Sequence, residues 1–339
     1  MTPQQVQATH VAQQAGFGRT VTLASSNIDV STDGIWRGPA PVPQHLKGAV
    51  VAIGNFDGVH LGHRALLAQA RAMADAAGRP MCALTFEPHP RTFFRPAAPV
   101  FRLTPADMRA SQMAELGCEG VVELAFGAAL AGLDAETFID DVLIDKLGAS
   151  GVVVGADFRF GRGRVGDVVL LERHLATRGI KTASIAAVVD AGGVPISSSR
   201  IRDALALGDV AGANAMLGAP WTVRGQVVHG DKRGRLLGFP TANMVLPADN
   251  LLRHGIYAVR VRIGSTWHGG VASFGRRPTF DDGAPRLETF VFDFCADLYG
   301  QILDIVFAGW VRGEEKFATV EALVAQMQRD TEKSRAILV

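Results

Sequence analysis

Two histidines three residues apart, His60 and His63, stand in the stretch AVVAIGNFDGVHLGH (49–63), where an apolar run from Ala49 to Ile53 ends in Gly54. The turn residues Asn55, Phe56, Asp57 and Gly58 follow, and beyond them Leu66, Leu67, Ala70, Met73 and Ala74 recur at helical spacing. The pattern predicts a buried strand, a tight turn and a helix over 61–77, with both imidazoles at the helix entrance. Unpaired backbone N–H groups and the positive end of the helix dipole make such a corner an anion site. Gly58 and Gly62 let a phosphate come close to the backbone, and the imidazoles would donate to a phosphate whose charge grows in a transition state. Metal ligation is the alternative chemistry for an H-x-x-H pair, but no Cys, Glu or Asp at ligand spacing joins it. Ordinary surface histidines are the plainer alternative.

The elements that would position these groups alternate from 49 to about 189. Strand-like runs fall at 49–54, 81–86, 120–125, 151–155 and 182–189, and helical patterns at 61–77, 104–116, 135–147 and 166–178. Thr104-Pro105-Ala106-Asp107 has the make-up of a helix start. This alternation implies a parallel sheet with helices on both faces, whose ligands sit at the carboxyl ends of the strands. The unusual residues lie at those ends: Phe86-Glu87-Pro88-His89-Pro90-Arg91, then the Gly155–Arg164 segment GADFRFGRGR, then Ser197-Ser198-Ser199-Arg200-Ile201-Arg202 opening another helix. Each alone reads as a flexible loop or a helix cap. Their common edge is what suggests a site.

The 339 residues are enough for two domains, and 48% hydrophobic with 20% charged residues is ordinary for a globular chain. A net charge of +1 argues against a broad nucleic-acid surface. The three cysteines, Cys82, Cys118 and Cys295, are widely spaced, as in a reduced cytoplasmic protein. No run of 18 apolar residues exists, and the Gln-rich start lacks a signal-peptide pattern. Residues 1–32 show no sustained periodicity, although 21–24 and 28–30 have the make-up of short strands, and GPAPVP (38–43) leads into the first core strand. The chain changes character at 209–221, after a short helix from Val210 to Leu217. Beyond it, β-like runs at 222–229, 256–263, 266–274, 287–294 and 302–307 suggest a small antiparallel barrel, followed by a helix over 319–329 on its outside.

GNFDGVHLGH, TFEPHP, VVGADFRFGRGRVGD and ISSSRIR, in this order, resemble the adenylyltransferase half of the bifunctional bacterial riboflavin kinase/FAD synthetases. The resemblance implies a nucleotidylyltransferase-like site in which Gly54, Asn55, Phe56, Asp57, His60 and His63 meet ATP. By the same resemblance Ser198, Ser199 and Arg202 hold its β- and γ-phosphates, with Ser199 standing where the family usually has Thr. Phe86, Pro88 and His89, with Asp157, Phe158 and Phe160, would border the flavin and adenine pockets. FMN carries its own nucleophile, a phosphate oxygen, so the protein's task would be alignment and charge stabilisation.

The C-terminal half carries GDKRGR (230–235) and GFPTAN (238–243), then GIYAV, GRRPTF, LETFVFDF and LYG. A basic hairpin loop is usually only solvated, and a lone Glu in a strand usually lies on an exposed face. The ordered set, however, resembles the riboflavin kinase domain. That resemblance implies ATP binding by Gly230, Lys232, Gly234, Gly238, Pro240, Thr241 and Asn243, Mg²⁺ at Thr241 and Asn243, and Glu288 as catalytic base. Ser273 stands where the family commonly has Asn.

The reading is therefore an α/β plus β protein. An extension (1–44) precedes a doubly wound parallel-sheet FMN adenylyltransferase domain (45–218) and a small antiparallel β-barrel riboflavin kinase domain with a terminal helix (219–339). Riboflavin and FMN are the acceptors, ATP and Mg²⁺ serve both steps, and FAD and pyrophosphate leave. The expected partners are small molecules and a second copy of the chain at most, with no nucleic acid and no membrane. Two rivals remain: an adenylyltransferase for another phosphorylated acceptor with a non-catalytic barrel, and a non-catalytic flavin-binding regulator.

Overall fold

The computed structural model describes residues 34–38, 41–230, 233–276 and 285–339. The short strands expected at 21–24 and 28–30, and the site residue Lys232, lie outside them.

Six parallel strands form the first sheet, in the order β1-β4-β3-β2-β5-β6. They are β1 (Ile35–Arg37), β2 (Val50–Ile53), β3 (Met81–Glu87), β4 (Gly120–Ala125), β5 (Gly151–Gly155) and β6 (Lys181–Ile185). Fully buried runs such as VVAI and GVVV are what a sheet covered on both faces demands. The chain steps outward from β2 through β3 to β4, then returns to the other side of β2 for β5. This reversal places a crevice at the carboxyl ends of β2 and β5. The edge strand β1 went unforeseen because three residues, IWR, carry no periodicity. The expected strand 182–189 ends at Ile185, beyond which the chain forms an isolated bridge between Val189 and Pro195.

The connecting helices are α1 (Leu61–Ala77), α2 (Pro90–Phe94), α3 (Ala106–Glu115), α4 (Ala128–Gly132), α5 (Ala135–Thr137), α6 (Val168–Ala176), α7 (Ser198–Leu207) and α8 (Val210–Leu217). Helix α1 matches its expected span; it buries Leu66, Leu67, Ala70 and Ala74 and stops at Gly78 in the left-handed region. Helix α5 runs into a π-helical stretch, Phe138–Lys146, that shifts the register of its buried Phe138, Ile139, Val142 and Leu143.

The second sheet is antiparallel, in the order β7-β12-β9-β10-β11-β8. Its strands are β7 (Thr222–Gln226), β8 (Thr241–Val245), β9 (Gly255–Ile263), β10 (Thr266–Gly275), β11 (Arg286–Val291) and β12 (Ile302–Arg312), with a turn of helix α9 (Arg233–Leu236) before β8. A bridge between Val228 and Asn243 nearly closes the barrel. Strand β8 was unforeseen because Thr, Ala and Asn read as the tail of a glycine loop. On β11, Leu287, Thr289 and Val291 are buried, whereas Arg286, Glu288 and Phe290 alternate with them on the other face. The last helix, α10 (Val320–Ile337), extends well past the expected 329. Its second half buries Asp330 and Ser334, so the apolar stripe that marks its start is lost there. Arg312 donates to Asp330 from Nε at 2.9 Å and Nη2 at 2.8 Å, which pairs the buried acid.

One apolar core runs through both halves. Leu103, Ile201, Leu205, Met216 and Leu217 pack with Trp221, Tyr257, Met244, Phe274 and Phe307. Trp221, 3% exposed, donates its indole N–H to the Leu103 carbonyl at 2.9 Å and lies 4.9 Å from the Phe307 ring. Arg224 extends the contact in charge, reaching Asp107 at 3.0 Å and Asp304 at 2.6 Å. Trp221→Ala should cost about 3–5 kcal/mol in urea unfolding, with Trp221→Phe, which keeps the ring, well below that. A loss under about 1 kcal/mol for the alanine variant would show that the halves stand independently.

Candidate active sites

In the first crevice, the β2–α1 turn is set by backbone. Gly58 adopts φ 87°, and a Cβ there would approach Leu103 Cδ1 to 3.0 Å and Leu217 Cδ2 to 3.1 Å, so both the conformation and the space require glycine. Phe56 and Val59 flank it at φ 50° and 41°, costly for side chains that favour neither. Burial of Phe56 and Val59, both fully covered, holds the turn in place. Asn55 accepts at its carbonyl from the Thr85 hydroxyl at 3.2 Å, while its side-chain oxygen is buried without a partner.

Asp57 is the hub. One carboxylate oxygen accepts from the amides of Leu103 at 3.0 Å and Thr104 at 3.3 Å, and the other pairs with the Arg202 guanidinium. Its carbonyl accepts from the Ser198 hydroxyl at 2.8 Å, and Arg202 Nε donates to the Phe101 carbonyl at 2.7 Å. Burial raises the Asp57 carboxyl above its usual range, while Arg102, Arg202 and the two amides pull it back. These bonds bring the N-terminus of α7 to that of α1, so two helix ends face one space. Ser197 caps α7 by accepting from the Arg200 amide, and Ser199 is exposed on its first turn.

His60 and His63 stack with ring centroids 3.7 Å apart, and His63 tilts against Phe56 at 5.2 Å. His60 Nδ1 accepts from the His63 amide at 3.3 Å, which leaves Nε2 to carry the proton. Burial, with the Arg202 charge beside it, pushes His60 down to about 4. Burial and then His60 hold His63 well below its ordinary value. Both are therefore neutral N–H donors at pH 7, not cations. His89 caps α2 through its Nδ1 and is held near 4 by burial and then by Arg102 and Arg202.

Among the residues expected to border the flavin and adenine, Phe86, near the end of β3, enters a cluster of edge-on rings with Phe126, Phe93 and Phe94. Asp157 is exposed beyond β5. Phe158 stacks on Phe160 at 5.2 Å, and Phe160 is itself buried against Phe138. The segment 101–104 carries the partners of Asp57 and Arg202; the sequence marks only its Thr104, as a helix cap, whereas Pro105 is the N-cap of α3 and no side chain caps it. Two of those partners are backbone amides and one is a carbonyl, groups that leave no signature in residue type.

On the barrel, strand register places Ser273, Glu288 and Asn243 in one row across β10, β11 and β8. The row lies on the outward face, and α10, which packs on β9, β10 and β12, stands beside it. A cavity of about 470 Å³ forms between them, lined by Glu288, Ser273, Phe290, Thr241, Leu323 and Met327 among others. A second cavity, of about 640 Å³, takes its walls from His229, Arg235, Pro240, Thr241, Asp297 and Tyr299. Thr241 belongs to both. Asn243 donates from Nδ2 to Thr241 Oγ1 at 3.3 Å and to the Thr241 carbonyl at 3.1 Å, while its Oδ1 is buried with no hydrogen-bond partner. Gly230 lies directly over that amide, where a Cβ would come within 2.6 Å of Asn243 Oδ1. Gly234 shares the first cavity with Glu288, and Gly238 turns the chain at φ 83° into Pro240. Helix α10 therefore does more than pack on the outside: its Leu323 and Met327 line the first cavity. Among the described residues no group of three or more His, Cys, Asp or Glu side chains is arranged to hold a metal.

The neutral histidines give a pH signature. Unfolded histidine takes its proton near 6.5, whereas folded His60 resists to about 4. The stability this provides is complete above pH 6.5 and is lost as the pH falls from there to about 4. Between pH 7.5 and 5 the loss from His60 is about 2 kcal/mol. His60→Asn should remove that share of the fall in unfolding free energy, read from urea titrations at the two pH values. An unchanged fall would mean that folded His60 accepts its proton as an exposed histidine does.

Comparison with known proteins agrees in both halves. Residues 42–200 match the FAD synthetase family and residues 217–338 the riboflavin kinase family. The bifunctional riboflavin kinase/FMN adenylyltransferase of Pseudomonas fluorescens is 42% identical over 297 residues, covering 87% of this chain and 94% of its own. That of Escherichia coli K12 is 40% identical, covering 84% and 91%. A crystallised Streptococcus pneumoniae chain named as a macrolide-efflux protein matches with a TM-score of 0.81 at 31% identity, covering 89% of this chain and 99% of that one. Among the described residues no helix here is long and apolar enough to cross a membrane. Two domain matches in the same order, and relatives this similar along nearly their whole length, place the chain in the family of bifunctional riboflavin kinase/FMN adenylyltransferases.

Proposed function

We propose that the two family reactions are divided between residues 219–339, which phosphorylate riboflavin, and residues 45–218, which adenylylate the resulting FMN. The observation that carries the kinase assignment is Thr241 standing in the wall of two adjoining cavities. One, with Glu288 and the apolar Phe290, Val271 and Phe317, suits a flavin; the other, with Arg235 and His229, suits a nucleotide. Glu288 takes the proton of the ribityl 5′-hydroxyl, that oxygen attacks the γ-phosphorus of ATP, and ADP leaves. Gly230, Gly234, Gly238 and Pro240 shape the backbone over the phosphates. Thr241 Oγ1 and the unpartnered Asn243 Oδ1 suit Mg²⁺, which binds few protein oxygens and shares the rest with phosphate and water. Bound there, the ion would neutralise charge on the β- and γ-phosphates.

In the first crevice, a phosphate oxygen of FMN attacks the α-phosphorus of ATP and pyrophosphate leaves. The neutral N–H groups of His60 and His63 and the paired ends of α1 and α7, with Ser198 and Ser199, stabilise the leaving group. Arg202, tied to Asp57 and Phe101, orients this wall. Asn55 and the loops bearing Phe86, Pro88, His89, Asp157 and Phe158 border the flavin and adenine. The cytoplasm is the proposed setting, supported by three cysteines that are all free thiols.

The test is a chromatographic time course of riboflavin, ATP and Mg²⁺ with the purified chain and its Glu288→Gln variant. The parent should form FMN and then FAD. The variant should lose riboflavin phosphorylation by about a hundredfold or more and still convert supplied FMN to FAD. Full phosphorylation by the variant would remove Glu288 as the base, and no turnover of either flavin by the parent would end the reading.

A further inference from the structure

We propose that Arg102 binds the 5′-phosphate of FMN in the adenylyl-transfer site and positions it for attack. The inference rests on the FMN adenylyltransferase reading above and adds a residue to it.

The backbone of Arg102 is pinned on both sides. Phe101 gives its carbonyl to Arg202, and Leu103 gives its amide to Asp57. The side chain is aimed by acids: Nη2 donates to Glu87 at 2.9 Å, and Nε lies 4.0 Å from Asp57 Oδ1. Its remaining nitrogen, Nη1, is shielded from solvent and has no acceptor. A guanidinium N–H stripped of water without an acceptor is costly, and a ligand oxygen is the economical way to satisfy it. Arg109 also keeps unpartnered nitrogens, but it is only 1% exposed, behind Glu87 and Glu123. Arg102 retains 22% exposure over its side chain as a whole, so the guanidinium borders solvent, and a ligand oxygen would meet Nη1 after a small turn of the group.

The local charge points the same way. The fields of Arg91, Arg102 and Arg202 all bear on His89, while the acids in contact with Arg102 and Arg202 are Asp57 and Glu87. Three cations against two acids, with neutral histidines around them, leave positive charge for an anion. The placement then decides which anion. Helix α7 meets Asp57 through Ser198 and Arg202, whereas Arg102 stands between Asp57 and Glu87 at the end of β3. An adenylyl transfer brings together two phosphate groups from two molecules. The helix ends serve the nucleotide, and Arg102, across Asp57, serves the attacking phosphate.

Steady-state FAD formation by the full chain tests this, with FMN varied and lumiflavin, which has neither a phosphate nor the hydroxyl of riboflavin, as competitor. Arg102→Gln should raise KM for FMN about tenfold to a hundredfold and leave the inhibition constant of lumiflavin within about twofold. Arg102→Lys should recover part of the loss. Riboflavin phosphorylation in the other domain reports that the chain is folded. If the glutamine variant loses that too, the lysine variant is judged by the same ratio of FMN to lumiflavin. An unchanged KM for FMN, or equal weakening of FMN and lumiflavin, overturns the assignment and leaves Arg102 a structural partner of Glu87. Absence of FAD from the unmutated chain would instead overturn the activity beneath it.

Discussion

A single buried ion pair, Asp57 with Arg202, holds the first crevice together. Asp57 is 1% exposed and would be expensive there unless each oxygen found a partner. It finds them on two separate pieces of chain: two amides of the 103–104 segment, and α7, whose Arg202 guanidinium meets the carboxylate while its Ser198 hydroxyl meets the Asp57 carbonyl. The carboxylate thus fixes where α7 begins relative to the β2 turn. The strained φ values of Phe56 and Val59 are tolerable because that turn is pinned from outside itself.

On the proposed reading the two sites face the same problem, a phosphorus attacked in line, with opposite resources. The parallel sheet offers converging helix ends and imidazoles kept neutral by burial, which would suit a nucleophile that arrives already ionised. On the same reading the barrel must activate a neutral hydroxyl, and Glu288 is the carboxylate on its outer face that would do so. The interior of the barrel is committed to Tyr257, Phe274, Leu287 and Phe307, all fully buried. The candidate residues Thr241, Asn243 and Glu288 therefore occupy strand positions that the core leaves over, and α10 adds a wall through Leu323 and Met327.

Much of this was legible in the residues. The α1 stripe of Leu66, Leu67, Ala70 and Ala74 marked a helix with correct ends, and short apolar runs marked the four central strands of the first sheet. What escaped were elements whose placement depends on distant partners. Strand β1 is three residues long and is strand only because β4 pairs with it. The far half of α10 is anchored by Asp330 on Arg312, so its buried face is polar and breaks the expected period. The candidate side chains His60, His63, Thr241 and Glu288 could be picked by type and order. The segment 101–104 could not, since it acts chiefly through backbone groups. Nor does any local pattern show that Trp221, the residue at which the chain changes character, reaches back to Leu103.

That shared core has a consequence for how the chain is made. The first sheet leaves the ribosome before the barrel exists, and domains tend to fold as they emerge. Leu103, Ile201, Leu205 and Leu217 must then wait uncovered until Trp221, Tyr257 and, late in the chain, Phe307 arrive to meet them. The nascent adenylyltransferase half is thus sticky for the whole time its partner is being synthesised. Synthesis as one polypeptide keeps the matching surface tethered nearby, which gives the fusion of two consecutive enzymes a physical rationale separate from any hand-over of FMN.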